Sequence, residues 1–270
     1  MANKRRMNTS IDGASLEPLS PRSIVLSILL GSHPPDMPVG RILQFTSLFD
    51  LADGTVRTAL SRMVAAGDLV NDDRRYRLSD RLLERQAQQD AGRAGPPPVW
   101  DGTWWTVAVV SDRRSMAERR AFRSSAISAR LGELRPELWL RPANINISAS
   151  LGDALVTRGP VVVGDQERLV AQLWDLDDIG SQATAHRHAL DEASQRLADA
   201  DDRDLANTFV VLAAAQRFLR IEPQLPGELM LDSRLPAVRD RYNEVAAEFQ
   251  TRLGAFFDRS SADRVSTVVL

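Results

Sequence analysis

Cysteine is absent from the 270 residues, which excludes structural disulfides, a cysteine nucleophile and thiolate zinc sites. Histidine occurs only at His33, His186 and His188, too few for a histidine-rich metal centre. His186 and His188 lie two residues apart, so on a helix their rings point away from each other. No apolar run reaches the ~18 residues of a membrane span. The basic start at Lys4, Arg5 and Arg6 is not followed by the apolar stretch of a signal peptide, so a cytoplasmic location is expected. Neither Gly152-Asp153-Ala154 nor Gly31-Ser32 extends into a Walker or dinucleotide fingerprint, and no serine stands in a nucleophile elbow. The expectation is a protein that is not an enzyme and carries no metal or cofactor.

Lysine is nearly missing as well: Lys4 is the sole lysine among 34 basic residues. With 36 acidic residues the net charge is −2, so the chain as a whole is no polycation. Distribution matters more than the sum. Met1 to Arg81 carries 11 basic and 9 acidic residues, whereas the remainder carries 23 against 27. Arginine offers a planar fork suited to phosphate or guanine, although genomic base composition alone also produces such a bias.

What is present is an ordinary globular composition, 43% hydrophobic and 26% charged, long enough for two or three cores. Three segments separate by composition, 20–90, 99–174 and 175–270. The first ends at Ala91-Gly92-Arg93-Ala94-Gly95-Pro96-Pro97-Pro98, a tract expected to be a linker unable to sustain a helix. In the third, Gln182 to Ala200 and Leu205 to Leu219 read as helices, with Pro223 and Pro226 ending the latter. A last long helix starts at Ser233 or Leu235, tolerates Pro236 in its first turn, and buries Val238, Tyr242, Val245, Phe249, Leu253 and Phe256.

The most informative stretch is Pro21 to Arg81. Ser20-Pro21 starts a helix carrying Ile24, Val25, Ile28 and Leu29, and Gly31 to Met37 closes it. Val39, Ile42 and Leu43 mark a second, short helix. Asp53 is the expected N-cap of a third. There Val56, Ala59, Leu60, Met63 and Val64 form an inward face, while Thr55, Arg57, Thr58, Ser61 and Arg62 face out. Gly67 is placed to end it. Leu69-Val70, a polar turn Asn71 to Arg74, and Arg75-Tyr76-Arg77-Leu78 then read as a basic hairpin. Three helices and a hairpin in this order make a winged helix-turn-helix. A helix fits the major groove of B-DNA with its N-terminal residues at the base edges. The DNA-contacting candidates are therefore Thr55, Arg57, Thr58, Ser61 and Arg62 on the helix and Arg74, Arg75 and Arg77 on the wing, the latter against phosphate. Lys4, Arg5 and Arg6 form a candidate arm.

Thr55 to Leu69 (TVRTALSRMVAAGDL) closely resembles the recognition helix and following strand of the PaaX family, bacterial repressors of phenylacetate catabolism and their relatives. The likeness continues in order through Ser23-Ile24-Val25, Tyr76-Arg77-Leu78-Ser79, Trp100-Asp101-Gly102-Thr103-Trp104, Leu138-Trp139-Leu140-Arg141-Pro142 and Trp174-Asp175-Leu176. Glu222-Pro223-Gln224-Leu225-Pro226-Gly227-Glu228-Leu229 is similar to that family's Asp-Pro-x-Leu-Pro-x-Glu-Leu signature. Two departures are the lack of a tyrosine between Asp177 and Ala185 and of a tryptophan before Pro236. The resemblance implies an α+β chain with an N-terminal winged helix-turn-helix, a central ferredoxin-like domain and a helical C-terminal domain. It further implies a homodimer that binds double-stranded operator DNA as a repressor and is released by an acyl-coenzyme A effector such as phenylacetyl-coenzyme A.

The middle segment reads as Trp104 to Val110 strand, Ser115 to Leu131 helix, Glu137 to Arg141 and Val161 to Gly164 strands, and Asp165 to Leu173 helix, most of a split βαβ sandwich. Trp104, Trp139 and Trp174, with Arg141, are the candidates to line an effector pocket; core packing is the competing reading. The helix arginines Arg119, Arg120, Arg123 and Arg130 could meet DNA or a coenzyme A phosphate, or simply be solvated. Asp112, after the first strand, stands where related ferredoxin-like nucleases keep an aspartate. A metal-dependent nuclease is therefore the alternative, although one carboxylate is a weak magnesium site.

Overall fold

The computed structural model describes residues 10–11, 14–15, 20–97, 99–111, 114–147, 151–162, 164–198, 201–230 and 233–267. They mix α-helices with antiparallel sheet, an α+β protein. Two short strands, β1 (Ser10–Ile11) and β2 (Ala14–Ser15), pair antiparallel near the start. The chain divides into two compact units: residues 1–90, 185–215 and 240–270 form one, and residues 91–184 and 216–239 the other.

In the first unit, α1 (Pro21–Leu30) starts at the expected signal. The Ser20 hydroxyl accepts the Ser23 N–H at 3.1 Å, and Pro21 sits at the first position, where an N–H has no helical partner. The segment after Gly31 is not only a closing loop. It contains β3 (Asp36–Pro38), whose Met37 lies opposite Tyr76; that pairing partner is 39 residues away, outside any local window. Then follow α2 (Val39–Ser47), α3 (Asp53–Ala65), β4 (Leu69–Asp72), β5 (Arg75–Leu78) and α4 (Asp80–Ala94). The sheet order is β3-β5-β4. Ile24, Val25, Ile28 and Leu29 meet Ile42, Phe45, Val56, Leu60 and Met63 in a core where none is more than 1% exposed. Phe45 also packs edge-on against Phe209 of α8 (Asp202–Ile221) at 4.9 Å, and Phe209 lies 6.1 Å from Phe249 of α9 (Arg234–Thr267). All six stripe residues of α9 are buried as its periodicity requires.

The second unit holds β6 (Thr103–Val109), α5 (Met116–Ser128), β7 (Gly132–Arg135), β8 (Leu138–Pro142), β9 (Ala154–Pro160) and α6 (Gln166–Leu173), after which the long α7 (Leu176–Ala198) begins. Its antiparallel sheet has the order β7-β8-β6-β9. The final strand lies earlier than Val161–Gly164. Seven residue pairs tie β9 to β6, from Thr103↔Pro160 to Val109↔Ala154, and β6 has no residue left to pair with Val161 or Val162. Val162 is instead 96% exposed. A capping box formed by Ser115 and Glu118 starts α5, and Arg130, at φ 57°, turns the chain out of it. Trp104, Leu169, Val170, Leu173, Leu225 and Leu229 form one core cluster; Val107, Ala126, Leu131 and Trp139 form another. The tract from Ala91 does sustain a helix: α4 runs to Ala94, and Gly95 at φ 82° follows. Gly92 is required there by contact, because a Cβ would stand 2.7 Å from the Leu219 carbonyl oxygen.

A buried charge cluster explains the Glu222 to Leu229 motif. The Glu222 carboxylate accepts from Arg239 at 2.7 Å and from the Gln224 N–H at 2.8 Å, with Arg130 at 3.6 Å. Arg130 also donates to the carbonyls of Glu222 and Leu219. The motif is thus held by side chains from the end of α5 and from α9, while Leu225 and Leu229 fill the core beneath. Three buried guanidiniums, those of Arg130, Arg141 and Arg239, face the single Glu222 carboxylate. Burial pushes Arg130 down to about 10 and Arg141 to about 9, because desolvation outweighs the attraction of Glu222.

Candidate nucleic-acid interface

α3 is placed by its two ends. Its N-cap is Ala52 rather than Asp53, and no side chain caps it; Asp53 is the first helical residue, its carboxylate favourable near the positive helix end. At the other end the Asp68 N–H bonds to the Met63 carbonyl and the Gly67 N–H to that of Val64, a Schellman motif with Gly67 at φ 71°. Asp68, 2% exposed, then accepts from Arg22 of α1 at 2.6 Å and from Arg81 of α4. This clamp fixes α3 between its neighbours. Sequence reasoning missed it, because nothing local pairs an aspartate with arginines 46 residues before it and 13 after.

On the outer face Thr55, Arg57, Thr58, Ser61 and Arg62 are all turned to solvent, while Val56, Leu60 and Met63 are buried. The helix therefore divides as its periodicity requires. Thr58 gives its hydroxyl proton to the Gly54 carbonyl at 2.8 Å, and Ser61 gives its own to that of Arg57 at 3.0 Å. Toward a groove these two hydroxyls are acceptors, and Thr58 adds a methyl group.

The β4–β5 hairpin turns on only two residues, Asp73 and Arg74, since Asp72 pairs with Arg75. Asn71 and Asp72, expected in the turn, belong to the strand. Both turn residues have positive φ, 41° and 64°, the geometry of a type I′ turn, whose twist matches a hairpin. The Arg74 carbonyl accepts the Val39 N–H at 2.9 Å, tying the tip to α2. Arg74, Arg75 and Arg77 are exposed, with Tyr76 and Leu78 turned toward the sheet's inner face. Arg75 pairs with Asp36 at 2.6 Å. Arg57, Arg62, Arg74 and Arg77 have no carboxylate partner among the described residues. The first unit thus brings all eight candidate residues onto one solvent-exposed module.

The effector candidates are placed differently. Trp104 is fully buried with Trp174 partly buried beside it, and Trp139 belongs to the other cluster, 4% exposed. Arg141 is fully buried and donates to the carbonyls of Pro142, Ala129 and Pro223 and to the Asn144 side chain. Lys4, Arg5, Arg6 and Asp112 lie outside the described residues. Among the described residues no group of three His, Asp or Glu could hold a metal ion, and no helix is long and apolar enough to cross a membrane.

The family profile described as "PaaX-like protein" matches residues 20–82, which span α1 to the first turn of α4. A solved structure, the uncharacterized protein Rv0674 from Mycobacterium tuberculosis, is 34% identical. That likeness covers 88% of this chain and 99% of the other, with a TM-score of 0.65. No curated protein matches. Similarity over nearly the full length of that structure, joined to the match across the module bearing α3 and the hairpin, places the chain in the PaaX-like family.

Proposed function

We propose that this chain is a cytoplasmic, homodimeric transcription regulator that binds double-stranded operator DNA and performs no catalysis. In this reading residues 20–90 are a winged helix-turn-helix: α3 lies in the major groove and the β4–β5 hairpin rests on a phosphate backbone. The middle segment is a ferredoxin-like domain and the C-terminal helices complete the dimer. The regulator is a repressor, released by an acyl-coenzyme A thioester such as phenylacetyl-coenzyme A.

The observation that carries this reading is the uncompensated charge of Arg57, Arg62, Arg74 and Arg77 on one exposed module of a chain whose net charge is −2. Positive charge gathered on one surface attracts a polyanion regardless of the total. The Asp68 clamp and the bond from Val39 to Arg74 hold both contact elements in place, so little ordering remains to oppose binding. For release, the ligand must prefer an arrangement of the dimer whose two α3 helices mismatch the half-sites; equal affinity for both arrangements would shift nothing.

The test is a fluorescence-anisotropy titration of the purified protein on DNA from upstream of its own coding sequence. Sub-micromolar binding that exceeds binding to scrambled duplex by at least about 10³-fold is expected. Phenylacetyl-coenzyme A should weaken it, and free coenzyme A should not. Equal affinity for the two duplexes would remove the operator assignment. Specific binding insensitive to a panel of acyl-coenzyme A thioesters would remove the effector alone.

A further inference from the structure

The second unit contains a cleft of about 350 Å³ in which one face of α5 meets the last residues of α8. From α5 come Arg120, Arg123, Ser124, Ile127 and Ser128, spaced to share one helix face; from α8 come Arg220 and Ile221. Among the described residues, no acidic one lines it. Arg123 is oriented by Glu133 and lies over the Trp139 ring at 5.4 Å. Arg120 and Arg220 have no carboxylate partner among the described residues, and the Arg220 Nε is buried without a hydrogen-bond partner. Ile127 and Ile221 are 41% and 44% exposed, unusually wet for isoleucine. The buried Arg130 guanidinium lies close enough to Arg220 for the two cations to repel each other.

We propose that this cleft is a binding site for a small phosphate ester bearing an apolar group. Arg120 and Arg220 hold the phosphate oxygens, Ser124 and Ser128 supply hydroxyl donors, and Ile127 and Ile221 cover the apolar part. Guanidinium forks match phosphate geometry, and two uncompensated cations beside hydroxyls form such a cradle. Buried Arg130 beside Arg220 adds to its positive potential, because a low-dielectric interior screens it less. The two exposed isoleucines beside these cations suit a small ester with an apolar group better than a DNA backbone, which offers them no apolar partner. The proposal concerns the second unit alone and stands whether or not the operator reading survives.

The test uses the full chain and two probes, inorganic phosphate and phenyl phosphate, titrated by isothermal calorimetry in a phosphate-free buffer. Phenyl phosphate is expected to bind at least about tenfold more tightly than inorganic phosphate, since burial of the ring on isoleucine adds to the anion contact. Arg120→Gln, at an exposed position that no fold contact depends on, should weaken phenyl phosphate at least about tenfold, with Arg120→Lys recovering part of it. Arg220→Gln should do the same. No measurable binding of either probe, or equal binding by wild type and Arg120→Gln, overturns the proposal. Loss of DNA affinity in Arg120→Gln with phenyl phosphate binding unchanged would make the face a DNA-backbone contact and also overturns it.

Discussion

Arg57 and Arg74 carry the same charge into different surroundings, and their substitutions should differ accordingly. In the proposed docking, Arg57, in the first turns of α3, would face base edges, whereas Arg74, at the hairpin tip, would meet phosphate alone. Arg57→Ala is expected to cost about 1–3 kcal/mol of binding and to relax preference at one base pair, as read by competition with a library of singly altered operators. Arg74→Ala should weaken every duplex alike and lower the salt slope by about 1, the share of a single phosphate. Equal losses on all duplexes for Arg57→Ala would remove it from base recognition. Asp68 acts on the same helix from behind. Asp68→Ala takes away the carboxylate that Arg22 and Arg81 share; both arginines are more than half exposed and can be hydrated by solvent. The loss is therefore that of charge-assisted hydrogen bonds, about 2–3 kcal/mol in urea unfolding, without the larger penalty of a stranded buried charge. Retention of wild-type stability would show that the clamp contributes nothing net.

At the level of elements, Gly92 sets two effects against each other. Alanine is the better helix former by about 1 kcal/mol. Its Cβ, however, would lie 2.7 Å from the Leu219 carbonyl oxygen and 3.4 Å from an Arg130 nitrogen, and neither can yield without disturbing the Glu222 cluster. Overpacking costs about 1–3 kcal/mol, so Gly92→Ala is expected to destabilise on balance, most visibly in the unfolding of the second unit. A variant more stable than wild type would show that α4 has room to move. The same glycine shows why the expectation that this tract could sustain no helix failed. Local propensity disfavours a helix at Ala91 to Ala94, yet close packing against α8 selects one. Where local signals and tertiary demands agree, the elements were legible: Ser20-Pro21 opening α1, the two faces of α3, the buried stripe of α9. Pairing at long range was not, so β3 and the register of β9 against β6 escaped. The candidate interface followed the same division. Its outward residues could be read from periodicity, whereas the Asp36 partner of Arg75 and the clamp at Asp68 depend on strands and helices brought together by the fold.

At the scale of the whole molecule, the proposed dimer would set two copies of the arginine-bearing surface on one duplex. With Arg57 on a base edge, Arg62, Arg74 and Arg77 of each protomer would give about six phosphate contacts in a dimer, hence a slope of roughly −5 in log Kobs against log salt. A monomer contacting one half-site would give about half that value. Dimer and monomer also differ in the footprint. A two-fold dimer presents its copies of α3 about 34–36 Å apart, so protection should appear as two tracts centred about 10–10.5 base pairs apart, or a whole multiple of that spacing, with inverted sequence symmetry. Inserting five base pairs between the half-sites rotates one by about half a turn, and a rigid dimer should then lose most of its affinity, whereas a further five should restore part of it. This periodic response is what a pair of independent monomers cannot produce, since each would follow its own half-site around the duplex. Affinity unchanged at every spacing, with a salt slope of about −2.5, would therefore leave the DNA-binding module intact while removing the dimer from the mechanism.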